Sequence, residues 1–372
     1  MGKKEYSSVF QRNSNTEMLR IIAMLMIVAS HYSYHGGFDF SQIENPANYL
    51  FLKAITLGNL GVDVFVLLFG YYSISYERIN AKKVFLLWSQ VFSYSFLIFC
   101  GLFLGGIIEF SAKDFVRSAL PTIFSKYWFF TSYIVLLLLT PFVNRMLKSL
   151  SQEEYRILLG VMLVIWCIIP TISAQVPGGD NFALFLMLYS LGGYLKLFPG
   201  DKYNRKKYGD YMVILSVALM LGSTVCVFLL KRIIPFFEGK ETLFYHKNSL
   251  FVIFTALGML IIALNQEPRR SNVINLISSC TFGIYLLHDN DLMRRPIWGS
   301  IFRNSAMAES PFLIFHCLSA VLTIFGVGVI IELIRKYTLE KIWICVFDWL
   351  VKQKDGNGLR GKMICLFSKI KY

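Results

Sequence analysis

The stretch RNSNTEMLRIIAMLMIVASH, residues 12–31, opens with polar residues and continues into a long apolar run. A helix needs about 20 apolar residues to cross a bilayer core about 30 Å thick, so the run predicts a first span over residues 18–35. No small-x-small cleavage site follows it, and the run leads instead into His31, His35 and two glycines. The segment is therefore predicted to stay in the protein as a membrane helix and not to be removed as a signal peptide.

The composition of the whole chain extends this prediction to a polytopic membrane protein. Of its 372 residues, 55% are hydrophobic and 16% are charged, whereas about a quarter of the residues of a soluble protein are charged. These proportions exclude a disordered chain, a secreted disulfide scaffold and a cytosolic enzyme. The predicted fold is an all-α bundle of about ten transmembrane helices in the cell membrane. The candidate spans are residues 18–35, 50–73, 84–108, 127–146, 156–174, 182–198, 212–230, 248–265, 274–288 and 311–334.

The distribution of positive charge predicts how the bundle is oriented. Cytoplasmic loops of membrane proteins collect Lys and Arg. With ten spans and the N-terminus inside, the inner segments hold twenty-six of the 37 Lys and Arg, and the outer loops hold ten. Both termini are therefore predicted to be cytoplasmic. The formal charge of +14 then reflects topology, the expected partner is the lipid bilayer, and no nucleic acid partner is predicted.

The chain divides into a predicted membrane domain, residues 1–338, and a basic cytoplasmic tail, residues 339–372. The tail begins with LEKIWICVFDWLV, residues 339–351, in which apolar residues recur at helical spacing. An amphipathic helix lying on the inner leaflet is predicted there. The seven cysteines lie mostly in apolar stretches, without a CxxC pair or a companion histidine at metal-binding spacing, so no metal site is predicted.

Arg20 and His31 are the most informative pair in the sequence. Eleven residues at about 100° each end about 20° past three full turns, so both side chains share one helix face, separated by about 16 Å of rise. A cation at the cytoplasmic mouth and an imidazole deep in the membrane suit a substrate that enters with its anionic end held at the mouth. A neutral imidazole there can act as a general base toward a hydroxyl. Alternatively, Arg20 reaches the headgroups and His31 forms a hydrogen bond between helices.

Asp63 lies inside the second predicted span, in LGNLGVDVFVLLFGYY, residues 57–72. A buried acid in a membrane needs a partner, and Arg20 or His31 of the first helix is the expected one. A structural ion pair and a role in orienting a catalytic group both fit this pattern.

Three histidines outside this pair have simpler interpretations. His288 ends the ninth span beside Asp289 and Asp291, so it is either a substrate-binding residue or part of a polar cap at the interface. His316 in the last span is expected to pack between helices. His35 is expected to be a loop or interface residue.

Further candidates for substrate binding are Trp128, Tyr133 and Glu332. The two aromatic residues open the fourth span, where an interfacial aromatic belt is the alternative explanation. Glu332 ends the last span, where an ion pair with Arg335 or Lys336 explains it equally simply. The chain has no P-loop, no GxSxG, no HExxH and no Rossmann glycine pattern, so ATP-driven transport, serine hydrolysis and zinc proteolysis have no support.

Four stretches in this order resemble the signatures of the bacterial membrane acyltransferase-3 family, which includes O-antigen, capsule and exopolysaccharide O-acetyltransferases. The first, residues 12–31, carries Glu17, Leu19 and Arg20. Arg20 also begins the Arg-x10-His spacing, which ends at His31. The others are GVDVFVLLFGYY, YWFFTSYIVLLLLTPFVN and FGIYLLHDN, at residues 61–72, 127–144 and 282–290. The resemblance covers roughly residues 10–335.

The resemblance implies ten core helices and transfer of an acyl group, usually acetyl, from cytoplasmic acyl-CoA to a hydroxyl of an extracytoplasmic or lipid-linked glycan. It makes His31 the catalytic base, gives Arg20 a part in holding the donor, and gives Asp63 a supporting role. Two positions depart from the family pattern. No Pro follows Glu332, and Phe69 stands where many members have Ser before the glycine.

The sequence therefore predicts an integral membrane O-acetyltransferase that uses acetyl-CoA as donor co-substrate and holds no permanently bound cofactor. Its acceptor is expected to be a surface polysaccharide or a lipid-linked oligosaccharide. A transporter or flippase of a lipid-linked glycan is the main alternative, although the chain lacks the internal repeats of many transporters. A membrane glycosyltransferase fits less well, because the acids of the outer loops are scattered.

Overall fold

The computed structural model describes residues 13–173, 176–177 and 181–352, which form helices and connecting loops without a strand. The predicted all-α fold is therefore confirmed for this part of the chain. The predicted basic tail beyond residue 352 lies outside the described residues. The helices are α1 Ser14–Tyr34, α2 Pro46–Ala54, α3 Gly58–Ser73, α4 Ala81–Leu104, α5 Ala112–Ala119, α6 Trp128–Ser149, α7 Gln152–Leu163, α8 Ile169–Ser173, α9 Asn181–Leu197, α10 Lys206–Leu230, α11 Leu250–Leu264, α12 Asn272–Ser278, α13 Thr281–His288, α14 Asp291–Arg294, α15 Leu313–Tyr337 and α16 Leu339–Lys352.

Six helical stretches among the described residues are long and apolar enough to cross a membrane. They are Pro46–Ser73, Ala81–Leu104, Trp128–Ser149, Gln152–Ser173, Lys206–Leu230 and Leu313–Val351. Two shorter apolar helices, α9 and α11, accompany them. The predicted count of ten spans and the predicted orientation of the termini stay predictions.

Several predicted spans are interrupted helices and not continuous ones. The span predicted at 50–73 is divided between α2 and α3, and the span at 274–288 between α12 and α13. The span at 156–174 contains a π-helical turn, Val164–Ile168. Side chains satisfy freed carbonyl groups at these breaks: the Thr56 hydroxyl donates to the Lys53 carbonyl at 2.7 Å, and the Thr281 hydroxyl donates to the Ser278 carbonyl at 2.8 Å. Such compensation permits broken helices inside a bundle.

Helix α3 lies at the centre of the bundle, enclosed by α1, α9 and α11. Its contact with α9 depends on two glycines. A Cβ added at Gly70 would collide with the Tyr189 carbonyl, and one added at Gly192 would collide with the Leu67 carbonyl. Small residues allow helix backbones to approach this closely. The position of α3, and with it that of Asp63, is therefore fixed by backbone contact.

The N-terminal turn of α1 is held by α12. The Ser14 hydroxyl donates to Oδ1 of Asn275 at 3.0 Å, and the Ser278 hydroxyl donates to Oε2 of Glu17 at 2.5 Å. Farther along, α1 packs against α13 and α15. These contacts bring the last turns of α1 beside the C-terminal end of α13.

The amphipathic helix predicted at 339–351 is observed as α16, which packs against α4. The indole of Trp343 donates to the Ser93 hydroxyl at 2.9 Å, and Lys82 pairs with Asp348 at 3.0 Å. The apolar side of α16 thus rests partly on the bundle. The predicted contact of α16 with the inner leaflet stays a prediction.

Candidate active site

Two turns of α1 and the end of α13 bring together His31, His35, His288 and Asp289. Nδ1 of His31 lies 3.8 Å from Oδ1 of Asp289, and Nε2 of His35 lies 3.7 Å from the same oxygen. The His31 ring centroid is 4.8 Å from that of His35 and 5.0 Å from that of His288. The predicted candidates His31 and His288 are therefore neighbours, with a carboxylate beside them.

Asp289 is the anionic member of this cluster. Burial would raise the pKa of Asp289, but the imidazole of His35 and the positive charges around the carboxylate outweigh it and hold the pKa below its ordinary value. Arg294 contributes through two contacts with Oδ1, from its terminal nitrogen at 2.7 Å and from Nε at 3.2 Å. The carboxylate is therefore ionised at neutral pH and held in place.

The hydrogen bonds of His288 define its protonation. Nδ1 of His288 lies 2.6 Å from the Ile284 carbonyl, which can only accept, so Nδ1 carries a proton. Nε2 of the neutral ring then presents a lone pair, and it is buried without a hydrogen-bond partner among the described residues. Nδ1 of His31 is likewise buried and makes no hydrogen bond among the described residues; it faces Oδ1 of Asp289 at 3.8 Å, and 18% of the His31 side chain stays accessible. Nε2 of His288 can thus bind a further group, and Nδ1 of His31 is placed to pair with Asp289.

Tyr127 fixes the turn that carries Asp289. Its hydroxyl donates to the Leu286 carbonyl at 3.0 Å and accepts from the Asn290 side chain at 2.6 Å. Asn290 in turn caps α14 by accepting from the backbone N–H of Leu292 at 3.0 Å. The turn that carries the Asp289 carboxylate is therefore held by hydrogen bonds before and after it in the chain.

Arg20 occupies the other end of α1, which runs unbroken through Arg20 and His31. The Arg20 guanidinium binds Oε1 of Glu17 at 2.5 Å and lies over the Tyr72 ring at 5.3 Å. Its side chain keeps 26% of its surface exposed. Glu17 and Tyr72 therefore hold the Arg20 side chain in place, and part of it stays accessible. Arg20 lies about 16 Å of helix rise from His31.

Aromatic rings connect the two ends. Tyr133 lies within the field of the Arg20 charge and contacts Phe69, with ring centroids 4.5 Å apart. Phe129 is stacked 6.2 Å from Tyr133 and lies 5.7 Å from Tyr285. Tyr285 precedes Asp289 by one helical turn on α13. Tyr133 therefore belongs to an aromatic wall, formed with Phe69, Phe129 and Tyr285, that ends one turn before Asp289.

Asp63 is fully buried, and neither of its carboxylate oxygens has a hydrogen-bond partner among the described residues. The partner expected from the sequence is wrong, because Glu17 binds Arg20 and Asp289 is the carboxylate beside His31. The charge that reaches Asp63 is that of Lys247. A catalytic role for Asp63 stays a prediction.

Trp128 also lies near the loop that carries Lys247. The Lys247 ammonium is 5.1 Å from the Trp128 ring and donates to Oδ1 of Asn181. Lys247 thus contacts the Trp128 ring, and its charge acts on Asp63. The predicted roles of Trp128 and Asp63 toward a substrate stay predictions.

Glu332 is fully buried and accepts hydrogen bonds at both oxygens. Gln90 donates to Oε1 at 3.0 Å, Tyr94 donates to Oε2 at 2.8 Å, and Arg335 donates to both oxygens at 2.9 Å. The ion pair with Arg335 predicted from the i+3 spacing is confirmed. These bonds join α4 to α15, and binding of a substrate by Glu332 stays a prediction.

The sequence did not identify His35, Asp289 and Arg294 as members of the cluster. The His31–His35 spacing of four residues could have indicated a shared helix face. No comparable signal connects Asp289 with α1, because the two segments lie at opposite ends of the chain. His316, expected to pack between helices, lies 2.8 Å from the Tyr32 hydroxyl across α1 and α15.

The fold and the cluster define a class: a multi-pass helical membrane protein with a buried histidine–carboxylate site. A family model described as an acyltransferase domain matches residues 13–332, and the chain belongs to this family, acyltransferase family 3. The protein is therefore a membrane acyltransferase. Comparison with curated proteins and with solved structures found no match.

Proposed function

We propose that the protein transfers an acetyl group from acetyl-CoA, supplied on the cytoplasmic side of the cell membrane, to a hydroxyl of a surface polysaccharide or a lipid-linked glycan. One observation carries the proposal: His31 lies beside the ionised Asp289 at the far end of the helix face that begins with Arg20. A donor held at Arg20 and an acceptor reaching His31 from the other side would meet at this imidazole.

His31 is the general base in this proposal. With Nδ1–H directed at Asp289, Nε2 presents its lone pair to an acceptor hydroxyl. The 3.8 Å separation from Asp289 shortens when substrates close the site, as catalytic hydrogen bonds commonly do. Asp289 then stabilises the imidazolium that forms when the hydroxyl proton is accepted.

The transfer step balances without a further reactant. The hydroxyl oxygen attacks the thioester carbonyl carbon while His31 accepts its proton. The C–S bond of the resulting tetrahedral intermediate breaks, and His31 returns the proton to the departing CoA thiolate. The products are the O-acetylated glycan and CoA.

The test combines a cell measurement with a donor measurement. The O-acetyl content of surface polysaccharide is measured by NMR in a deletion strain complemented with wild type, His31→Ala or His246→Gln. We expect acetyl resonances to return with wild type and His246→Gln and to stay absent with His31→Ala at equal membrane abundance. Purified protein in phospholipid vesicles should move label from acetyl-CoA to the acceptor. Unchanged acetylation in the deletion strain, or restored acetylation with His31→Ala, would contradict the proposal.

A further inference from the structure

A groove of about 270 Å³ lies at one end of the bundle, where α1 and α10 begin and α11 ends. Its walls are mostly apolar and come from the first turns of α1, the first half of α10 and the last turns of α11. The apolar residues that form most of these walls are Met18, Ile22, Val213, Met259, Ile262 and Ala263. Met18 and Ile22 each keep 39% of their surface exposed, so the groove reaches the surface of the protein.

The groove borders the part of the protein that a bilayer would surround. Helix α10 is long and apolar enough to cross a membrane, and Ile214, next to the lining residue Val213, is 67% exposed. A lipid acyl chain gains little by moving from the bilayer into the groove, because lipid tails are as apolar as leucine. The polar end of the groove therefore decides which lipid binds there.

The polar residues of α1 at this end are already occupied. The Ser14 hydroxyl accepts from the backbone N–H of Ser271 at 2.8 Å, and the Asn15 side chain donates to the Glu267 carbonyl at 2.9 Å. These bonds join the loop between α11 and α12 to the first turn of α1. The polar groups left for a ligand therefore come from the loop itself.

Arg269 and Gln266 are the loop residues that line the groove. Both are exposed, and neither side chain forms a hydrogen bond or an ion pair among the described residues. The Arg269 carbonyl accepts from the Ser14 N–H at 3.0 Å, which fixes the backbone that carries the guanidinium. A guanidinium binds a phosphate through paired N–H bonds, and within the described residues no acid lines the groove to compete for it.

The surrounding charge favours a lipid with net negative charge. Residues 265–271, NQEPRRS, hold two cations and one acid, and residues 204–210, NRKKYGD, hold three cations and one acid. Asn265 donates to Oδ1 of Asn204 at 3.5 Å, so the two segments are neighbours. A zwitterionic lipid would bring its own cation into this positive region, whereas an anionic lipid brings none.

We propose that the groove binds one anionic phospholipid, with an acyl chain between α1, α10 and α11 and with its phosphate at Arg269. The Gln266 amide donates to the same head group. The sequence predicts that this end of the bundle is cytoplasmic, and the cytoplasmic leaflet carries anionic lipids, which basic pockets between membrane helices bind. The lipid would thereby connect α1, the helix of Arg20 and His31, to α10 and α11.

The test measures which lipid the full-length protein retains. The protein is reconstituted in bilayers of equal parts phosphatidylcholine and phosphatidylglycerol and extracted, and native mass spectrometry measures the two lipids that stay bound. Wild type should retain one phosphatidylglycerol. Arg269→Gln should lower the fraction that carries it about fivefold, as expected for the loss of one cation near an anionic head group. Arg269→Lys keeps the charge and should lower the fraction less than about twofold.

Arg270→Gln is the matched control. Arg270 is the adjacent arginine of the same loop, is exposed and does not line the groove. Its replacement should change retention of phosphatidylglycerol less than about twofold. Equal losses in Arg269→Gln and Arg270→Gln, or equal retention of the two lipids by wild type, would overturn the inference.

A cross-linking measurement identifies the occupant of the groove. A photoreactive diazirine amino acid replaces either Met18, which lines the groove, or Ile214, which is exposed on α10 and does not line it. After irradiation in the same bilayers, the probe at position 18 should carry mainly phosphatidylglycerol, and the probe at position 214 should carry both lipids in their bilayer proportion. A cross-link from position 18 to a peptide of residues 1–12, or to a second copy of the chain, would overturn the inference.

Binding should also stabilise the fold, because a ligand that binds only the folded protein raises the free energy of unfolding. Phosphatidylglycerol added to the protein in detergent should raise the midpoint of thermal unfolding of wild type and Arg270→Gln, and should raise that of Arg269→Gln less. An equal increase in all three proteins would contradict a lipid site at Arg269. None of these measurements uses an acyl donor or an acceptor, so their outcome is separate from that of the proposed transfer.

Discussion

Nδ1 of His31 lies 3.8 Å from Oδ1 of Asp289, although His31 lies in α1 and Asp289 directly follows α13, far along the chain. Arg294 holds the same carboxylate oxygen at 2.7 Å. An imidazole beside a fixed carboxylate is the arrangement that orients a general base in many hydrolases. His31 and Asp289 therefore come together only when α1 and α13 have packed against each other in the folded bundle.

Replacing Asp289 by Asn should lower kcat for acetyl transfer by at least about 100-fold, with KM for acetyl-CoA within about twofold of wild type. Asparagine keeps the shape of the side chain, but it no longer stabilises a charged imidazole, and its NH2 group can face His31 in place of an acceptor. Initial rates at saturating donor in vesicles measure kcat directly.

Asp291→Asn is the matched control for this variant. Asp291 lies two residues away and pairs with Lys126 at 3.2 Å and with Arg117 at 3.6 Å. Its removal should change kcat less than about threefold. Equal losses in the two variants would show that the carboxylate of Asp289 has no special relation to His31.

Much of the fold could be predicted from hydropathy and charge, because long apolar runs have few alternatives in a bilayer. Helices α4 and α10, predicted as spans at 84–108 and 212–230, illustrate this. The breaks between α2 and α3 and between α12 and α13 could not be located, because they involve contacts with distant segments. The Ser33 hydroxyl donates to the Leu52 carbonyl at 2.9 Å, and the Lys336 ammonium donates to the Ser279 carbonyl at 2.6 Å. Hydropathy contains no information about such contacts.

The candidate site was predictable only where its residues share a helix. Periodicity places Arg20 and His31 on one face, and it could also have included His35. Periodicity also allows the Glu17–Arg20 pair, because the two residues are three apart on α1. The pairing of His31 with Asp289 depends instead on how α13 packs against α1, and periodicity along one segment contains no information about such packing.

Glu332→Gln should destabilise the protein by about 3 kcal/mol, because it leaves the buried Arg335 guanidinium without its bidentate carboxylate. Thermal unfolding in detergent should show a clearly lower midpoint. Glu340→Gln is the control, since Glu340 contacts Arg335 at 2.5 Å from a partly exposed position. Its effect should stay below about 1 kcal/mol.

The same Glu332 variant tests the role in substrate binding predicted from the sequence. A purely structural role leaves KM for acetyl-CoA and for the acceptor unchanged in the folded fraction. A tenfold increase in either KM at an unchanged unfolding midpoint would instead place Glu332 in contact with a substrate.

Asp63→Asn should not lower the unfolding midpoint. Burial of the Asp63 carboxylate without a hydrogen-bond partner among the described residues is costly, and an amide of the same shape removes most of that cost. A midpoint lowered by several degrees would contradict this expectation and would indicate that the attraction of Lys247 outweighs desolvation. Acetyl transfer lost at an unchanged midpoint would support the functional role predicted for Asp63.

Zinc should inhibit acetyl transfer by binding at the histidine cluster. His31, His35 and Asp289 each offer one ligand atom, and these atoms lie within 4.8 Å of one another. Zn²⁺ binds such nitrogen and oxygen ligands at about 2.0–2.2 Å. A small movement of the three side chains toward one another would therefore complete a three-ligand site. A bound ion would occupy Nδ1 of His31 and would compete with Arg294 for Asp289. The proton of the neutral ring would then sit on Nε2, so His31 could not accept a further proton.

The matched variants His35→Gln and His246→Gln test this geometry. Removing His35 takes away one of the three ligands and should raise the zinc concentration for half-inhibition about tenfold, measured on the remaining activity of that variant. Replacing the exposed His246 should leave the zinc concentration for half-inhibition unchanged, because His246 does not belong to the cluster. Addition of a chelator should restore the rate. Equal zinc sensitivity in wild type and His35→Gln would show that His31 and His35 do not bind one ion, and that the last turn of α1 does not direct both imidazoles toward Asp289.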